Sequence, residues 1–90
     1  MPQYAVLIHD DDFHSFPYVI EIIRKVCHQS LTSAVKLTKD VHYKGLAIVW
    51  TGNLELAELK KEQIVNYGPD DFAPKTVNFP LGVSIEKLPG

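Results

Sequence analysis

Two short apolar runs constrain the fold of this chain more than any other feature of its sequence. YAVLI at residues 4–8 and LAIVWT at residues 46–51 are rich in β-branched and aromatic residues and are too short for buried helices, so we interpret both as strands. Residues 82–88 alternate in polarity, with Val83 and Ile85 on one face, and are predicted to form a third strand. A small sheet of three strands must bury one apolar face against helices.

Three helices are predicted between these strands from the helical spacing of apolar residues and from their end signals. Ser15 and Asn53 are suitable N-caps, and Gly45 suits the left-handed position that often ends a helix. The predicted bounds are Ser15 to about His28, Ser30 or Thr32 to Gly45, and Leu54 to Tyr67. The order β-α-α-β-α-β predicts an α+β fold, with three helices against a small, largely antiparallel three-stranded sheet. We expect one domain over residues 1–90.

Composition disfavours some classes of partner and indicates a cellular compartment. The formal net charge is −2 and no basic run exceeds Lys60-Lys61, so we expect no nucleic-acid partner. The single cysteine, Cys27, cannot form an internal disulfide and lies in an apolar helical pattern, which predicts a buried thiol in a reducing compartment. No apolar run approaches a membrane span and no secretory signal follows Met1. We therefore expect a cytoplasmic protein with no membrane partner.

The acidic segment between the first strand and the first helix is the unusual feature of the sequence. It reads HDDDFH, with Asp10, Asp11 and Asp12 between His9 and His14. A helix dipole stabilises an aspartate near the helix N-terminus by about 0.3–1 kcal/mol, which explains one carboxylate but not three. A turn-and-cap role remains one interpretation of this segment.

Other interpretations give this segment a ligand. A metal site on His9, Asp10, Asp12 and His14 matches no zinc or calcium spacing, and an acid/base pair of Asp11 and Asp12 lacks any nucleophile motif. A carboxylate cluster beside an apolar groove suits a cation that carries a hydrophobic group, such as the free α-amino terminus of a polypeptide. The sequence therefore favours a non-enzymatic binding protein with no cofactor and no bound metal.

Four sequence runs, taken together, carry a family resemblance. In order they are IHDDDFHSFPYVIEIIRKV, VHYKG, NLELAELK and PLGVSIEK, and they resemble the ClpS family of Clp-protease adaptors from about Tyr4 to Lys87. The resemblance implies an adaptor that binds proteins through a free α-amino group and a bulky hydrophobic N-terminal residue, namely Leu, Phe, Tyr or Trp. It also implies delivery of these proteins to a Clp ATPase–protease. The alternative is a domain of the same fold that docks a partner through helix 54–67 without recognising N-termini.

The resemblance also implies which residues contact each partner. Asp10, Asp11 and His42 match the family's contacts to the α-amino group, Phe16 matches the gate methionine, and Leu81 matches a pocket-lining leucine. The complete implied substrate-binding set is Asp10, Asp11, Asp12, His14, Phe16, Val19, Thr38, Val41, His42 and Leu81. The positions that match the helix that docks on the N-terminal domain of the Clp ATPase are Glu55, Glu58 and Lys60.

The chain departs from the family pattern at several of these positions. Asp10 replaces the usual asparagine, and His14-Ser15-Phe16 replaces Thr-Pro-Met, which changes both the helix cap and the gate. Thr38 stands where some members have a bulky pocket residue. The loop before Pro80 is several residues longer than usual. Since the first predicted strand starts almost at Met1, we expect no counterpart of the family's flexible N-terminal extension.

Overall fold

The computed structural model describes residues 1–90 and contains three strands and three helices in the order β-α-α-β-α-β. The elements are β1 Tyr4–His9, α1 Phe16–Lys25, α2 Leu31–Lys44, β2 Leu46–Gly52, α3 Leu54–Val65 and β3 Gly82–Lys87. The predicted α+β fold, with its element order, is confirmed. No helix combines the length and the apolar character that crossing a bilayer requires.

β1 is the central strand of the sheet and pairs antiparallel with β2 on one side and β3 on the other. The sheet is therefore wholly antiparallel, where the sequence predicted a largely antiparallel one. The register places Ile8 beside Ala47 and Val83, on the face that packs against the core. On β2, the exposed residues Leu46 and Ile48 alternate with buried ones.

Each helix begins at a side-chain cap. The caps are Ser15, Ser30 and Asn53, and each accepts a hydrogen bond from a backbone N–H in the first turn of its helix. This geometry satisfies N–H groups that have no partner within the helix. It also selects Ser30, rather than Thr32, as the start of the second helix.

Two helices end earlier than the sequence predicted. α1 ends at Lys25 rather than near His28, because the chain turns at His28, whose φ is 57°. α3 ends at Val65 rather than Tyr67, because the backbone of Asn66 has already left the helical region. Gly45 ends α2 as predicted, with a left-handed φ of 90° that a glycine adopts without a steric penalty.

α1 supplies much of the core beneath the sheet. Tyr18, Val19, Ile22 and Ile23 are each at most 5% exposed, and their spacing forms one apolar stripe along the helix. Cys27 is also buried, and burial raises the pKa of its thiol to about 11. The thiol therefore stays protonated at neutral pH and is a poor nucleophile.

A buried carboxylate, Asp70, joins the loop between α3 and β3 to the start of α1. It accepts hydrogen bonds from the Ser15 N–H at 2.6 Å and the Ser15 hydroxyl at 3.1 Å. It also accepts from the N–H groups of Phe72 at 2.9 Å and Ala73 at 3.3 Å. Two backbone hydrogen bonds between Asp70 and Val77 close the loop. Asp70 thus orders the segment that leads into β3.

Candidate functional site

The acidic turn, Asp10–Asp12, lies against the C-terminal end of α2. The Asp10 N–H donates a hydrogen bond to the Gly45 carbonyl at 2.9 Å, which ties the turn to that helix end. His42 lies almost one turn earlier on α2. As a result, its ring faces the acidic turn, with Nδ1 3.9 Å from Asp10 Oδ1.

A cavity lies beside this contact, enclosed by α1, α2, the acidic turn and the residue before β3. Its lining consists of His9, Asp10, Asp11, His14, Phe16, Val19, Thr38, Val41, His42 and Leu81. The structure therefore brings together all the substrate-binding residues predicted from the sequence except Asp12. The Asp12 side chain is exposed and belongs to a separate concavity with Phe13 and residues 73–79.

His9 is the lining residue that the sequence did not predict as a ligand contact. It ends β1 directly before the acidic turn, and its Nε2 lies 2.6 Å from the Ser84 hydroxyl on β3. Its position next to three aspartates was the available signal. Its contact with β3 depends on the strand register, which the sequence did not specify.

The inner wall of the cavity is apolar and closely packed. Val19, Val41 and Leu81 are at most 5% exposed. Thr38 is buried beside them, and its hydroxyl donates to the Ala34 carbonyl at 2.7 Å, so it offers no free hydrogen-bond donor to a ligand. The cavity volume is about 20 Å³, which is room for about one water molecule. A larger apolar group can enter only if a lining residue moves.

The more exposed lining residues lie at the rim. Phe16 is 40% exposed, and its ring meets the His42 ring edge-on at a centroid distance of 5.2 Å. The His42 side chain is 48% exposed and also contacts the ring of Tyr43. These two rings are therefore more exposed than the buried inner wall of the cavity.

Asp11 is fixed more firmly than its neighbours. Its Oδ1 accepts the N–H groups of Phe13 at 2.9 Å and His14 at 2.8 Å, and its Oδ2 lies 2.5 Å from His14 Nδ1. Burial raises the pKa of the Asp11 carboxyl, but these hydrogen bonds outweigh that effect and hold the pKa below its ordinary value. The carboxylate is therefore ionised and oriented at neutral pH.

His14 connects the acidic turn to the loop before β3. Its side chain is 2% exposed and stacks on Tyr18 at a centroid distance of 5.3 Å. Nε2 lies 2.9 Å from the Phe79 carbonyl oxygen, while Nδ1 faces Asp11. This ring therefore forms the wall between the ionised carboxylate and the segment that carries Leu81.

Taken together, the rim offers three hydrogen-bond acceptors above an apolar wall. They are the Asp10 carboxylate, the Asp11 carboxylate and, in its neutral form, one nitrogen of His42. No Ser, Cys or Lys lines the cavity, and no three His, Cys, Asp or Glu side chains are grouped as a metal site requires. The geometry suits the binding of a cation with an attached apolar group.

The predicted docking residues lie on α3, away from the cavity. Glu55 and Glu58 are exposed, and Lys60 is half-buried near the groove between α1 and α3. Two exposed leucines, Leu56 and Leu59, are 44% and 45% exposed on the same helix. α3 therefore presents both charge and apolar surface to solvent.

Comparisons with known proteins agree with this architecture. The sequence model described as "ATP-dependent Clp protease adaptor protein ClpS" matches residues 1–81. The ClpS adapter of Thermosynechococcus vestitus is 41% identical over 68 residues, covering 74% of this chain and 72% of that protein. The ClpS adapter of Myxococcus xanthus is 29% identical over 89 residues, covering 99% and 78%. The structure of Agrobacterium tumefaciens ClpS2 bound to L-phenylalaninamide has a TM-score of 0.82, with 22% identity, and covers 97% of this chain and 98% of that chain.

These findings define the class of protein as an adaptor of an ATP-dependent protease, which is not itself catalytic. The α+β topology matches that of a solved ClpS structure along nearly the whole chain. The chain belongs to the ClpS family of ATP-dependent Clp protease adaptors.

Proposed function

We propose that this protein binds other proteins through a free α-amino group and a bulky hydrophobic first residue, and delivers them to a Clp ATPase. The observation that carries this proposal is the group of three acceptors at the rim of an apolar cavity. An α-ammonium group has three N–H donors, which can be shared among Asp10, Asp11 and His42. Hydrogen bonds between ionised groups contribute about 1.5–3 kcal/mol each.

The position of the acceptors also favours an N-terminus over other cations. In a polypeptide N-terminus the ammonium and the first side chain leave the same carbon atom, so they can occupy the rim and the cavity at once. L-phenylalaninamide, the ligand of the solved ClpS2 structure, has this arrangement of a free amine and an aromatic side chain. Because that relative shares the fold of this chain, its ligand supports the proposal.

The wall of the cavity favours apolar side chains. Burying a Leu or Phe side chain against Val19, Val41 and Leu81 contributes about 1.5–3 kcal/mol. Because the cavity volume is only about 20 Å³, we propose that the exposed rings of Phe16 and His42 form a gate that opens for the ligand. Phe16 is stiffer than the family's methionine and would clash with branching at the Cβ of the ligand. We therefore propose Leu, Phe, Tyr and Trp as preferred first residues, ahead of Ile and Val.

The test is a fluorescence titration with peptides that differ only at their N-terminus. Acetylating a Leu-initial peptide removes the charge and two donors, so we expect at least a tenfold loss of affinity, or about 1.4 kcal/mol. A peptide with Ala as its first residue, free at its N-terminus, is the control for the side-chain contribution. Equal affinity of the free and acetylated Leu peptides would refute N-terminal recognition.

The proposed ATPase-docking surface is the exposed face of α3. At about 100° per residue, Leu59 and Leu56 lie between Glu55 and Lys60 around the helix, and Glu58 lies about 60° beyond Glu55. The surface is thus an apolar strip with an acidic side and a basic side. A charged rim around apolar contacts is typical of protein–protein interfaces.

We expect the double reversal Glu55→Lys with Lys60→Glu to abolish binding to the N-terminal domain of a Clp ATPase and to leave peptide affinity unchanged. Opposite charges on the partner would become like charges, which disfavours the complex without changing net charge. Binding is measured by calorimetry. The matched control reverses Lys75 and Glu86, two exposed charges outside α3. If the wild type binds no such domain, delivery is refuted while N-terminal recognition can still hold.

A further inference from the structure

The environment of His14 determines which protons its ring carries. Nε2 lies 2.9 Å from the Phe79 carbonyl oxygen, which can only accept a hydrogen bond, so Nε2 carries a hydrogen. Nδ1 lies 2.5 Å from Asp11 Oδ2. The Asp11 pKa is held below its ordinary value by the hydrogen bonds to its carboxylate, including two backbone N–H groups on Oδ1.

An ionised carboxylate also only accepts hydrogen bonds, so Nδ1 must carry a hydrogen as well. With a hydrogen on both nitrogens, the ring is an imidazolium cation. It is buried, with 2% of its side chain exposed, and it lines the same cavity as the proposed ammonium acceptors. On this hydrogen-bond assignment, the wall of the proposed ammonium site contains a cation of its own.

We propose that His14 is a positioning residue whose imidazolium holds Asp11 in place and competes with the ligand ammonium for that carboxylate, so that ligand binding and His14 protonation oppose each other. This inference rests on the proposed function. The family pattern has threonine at this position. Two cations on one carboxylate repel, and the effect of each on the other is reciprocal.

The competition has a defined direction. A bound ammonium disfavours the imidazolium, so peptide binding releases a proton and affinity falls as the solution becomes more acidic. The neutral ring cannot satisfy both acceptors, since it has one N–H. When the proton is lost, the ring can keep only one of its two hydrogen bonds. Either Asp11 becomes free to bind the ligand, or the Phe79 carbonyl is released and the loop before Leu81 loses one attachment.

Other titratable groups surround the ring, and their contributions to the pH dependence must be distinguished from that of His14. They are Asp10, Asp11, His9 and His42 in the cavity, Asp12 in the acidic turn, Tyr18 stacked on the ring, and Asp70 bound to Ser15. Among these residue types, only histidine ordinarily changes charge between pH 5 and pH 8. His9 and His42 remain in a His14 variant, so any pH dependence lost there belongs to His14.

The experiment measures the affinity of a free Leu-initial peptide at pH 7 and pH 5.5 for the wild type and for His14→Gln. We expect the wild type to bind about fivefold more weakly at the lower pH, near the lower end of couplings between two sites, and to release a proton on binding in calorimetry. In His14→Gln most of this pH dependence should disappear. His28→Asn is the control, because His28 is exposed, lies outside the cavity and has a positive φ that Asn tolerates.

A second measurement needs no ligand and no variant. Nitrogen chemical shifts of the histidine rings in the free wild-type protein should show His14 with hydrogens on both nitrogens at pH 6. A neutral His14 ring there, or wild-type pH dependence in His14→Gln, would overturn the inference. If no peptide with a free N-terminus binds at any pH, both the proposed function and the proposed competition fail. The nitrogen spectrum tests separately whether His14 and Asp11 form an imidazolium–carboxylate pair.

Discussion

Replacing Asp10 with alanine should weaken the binding of a free Leu-initial peptide by about 10- to 150-fold, the loss of one charge-assisted hydrogen bond. The stability of the protein should not fall. The Asp10 side chain is 29% exposed, and its Oδ1 lies 3.9 Å from His42 Nδ1. Its backbone N–H, which ties the turn to Gly45, remains in the variant. The substitution should therefore weaken ligand binding and leave the fold nearly unchanged.

Titration of the variant should be paired with thermal melts and two further substitutions. Asp10→Asn keeps an acceptor oxygen without the charge, so its affinity should lie between wild type and Asp10→Ala. Asp12→Ala removes the same charge two residues away, from a side chain outside the cavity. We expect it to bind within about threefold of wild type, since an exposed charge at that distance is largely screened. Equal losses for Asp12→Ala and Asp10→Ala would mean that the turn acts through its net charge alone.

The sequence was sufficient to predict the local structure of the chain. Strand and helix periodicity, the Ser15 and Asn53 caps and the left-handed Gly45 depend on neighbours within a few residues, so they could be predicted locally. The sequence also indicated an acidic site at the junction of β1 and α1. It presented three aspartates as equivalent, however, because it did not indicate where each side chain points.

In the structure, the three aspartates differ in the contacts that they make, and some of these contacts involve residues far away in the sequence. Asp11 is engaged by His14, and His14 reaches Phe79 in a loop that the sequence left without internal structure. The role of Asp70 was harder to predict, because its carboxylate binds Ser15, the N-cap of α1, which lies 55 residues earlier in the chain. Its hydrogen bonds from Phe72 and Ala73 are local, but nothing in a Pro-containing loop indicates that the same carboxylate reaches Ser15, so only the tertiary fold reveals that role.

Asp70→Ala should therefore cause the largest loss of stability among these substitutions. It removes an acceptor from the N–H groups of Ser15, Phe72 and Ala73, in a site where Asp70 is fully buried. Leaving a buried donor without a partner costs about 1–3 kcal/mol, and partial hydration will recover some of it. We expect the free energy of unfolding to fall by about 3 kcal/mol, a large part of the 5–15 kcal/mol typical of a domain.

For a domain of this size, that loss corresponds to a melting temperature lower by about 12–24 °C. Asp71→Ala is the matched control. Asp71 is adjacent and exposed, and its side chain accepts one hydrogen bond, from Thr76 at 3.2 Å, so its effect should stay within about 0.5 kcal/mol. Denaturant unfolding of both variants measures the difference. Similar stability of the two would mean that the loop is held by its backbone bridge to Val77 rather than by the Asp70 carboxylate, because that bridge survives the substitution.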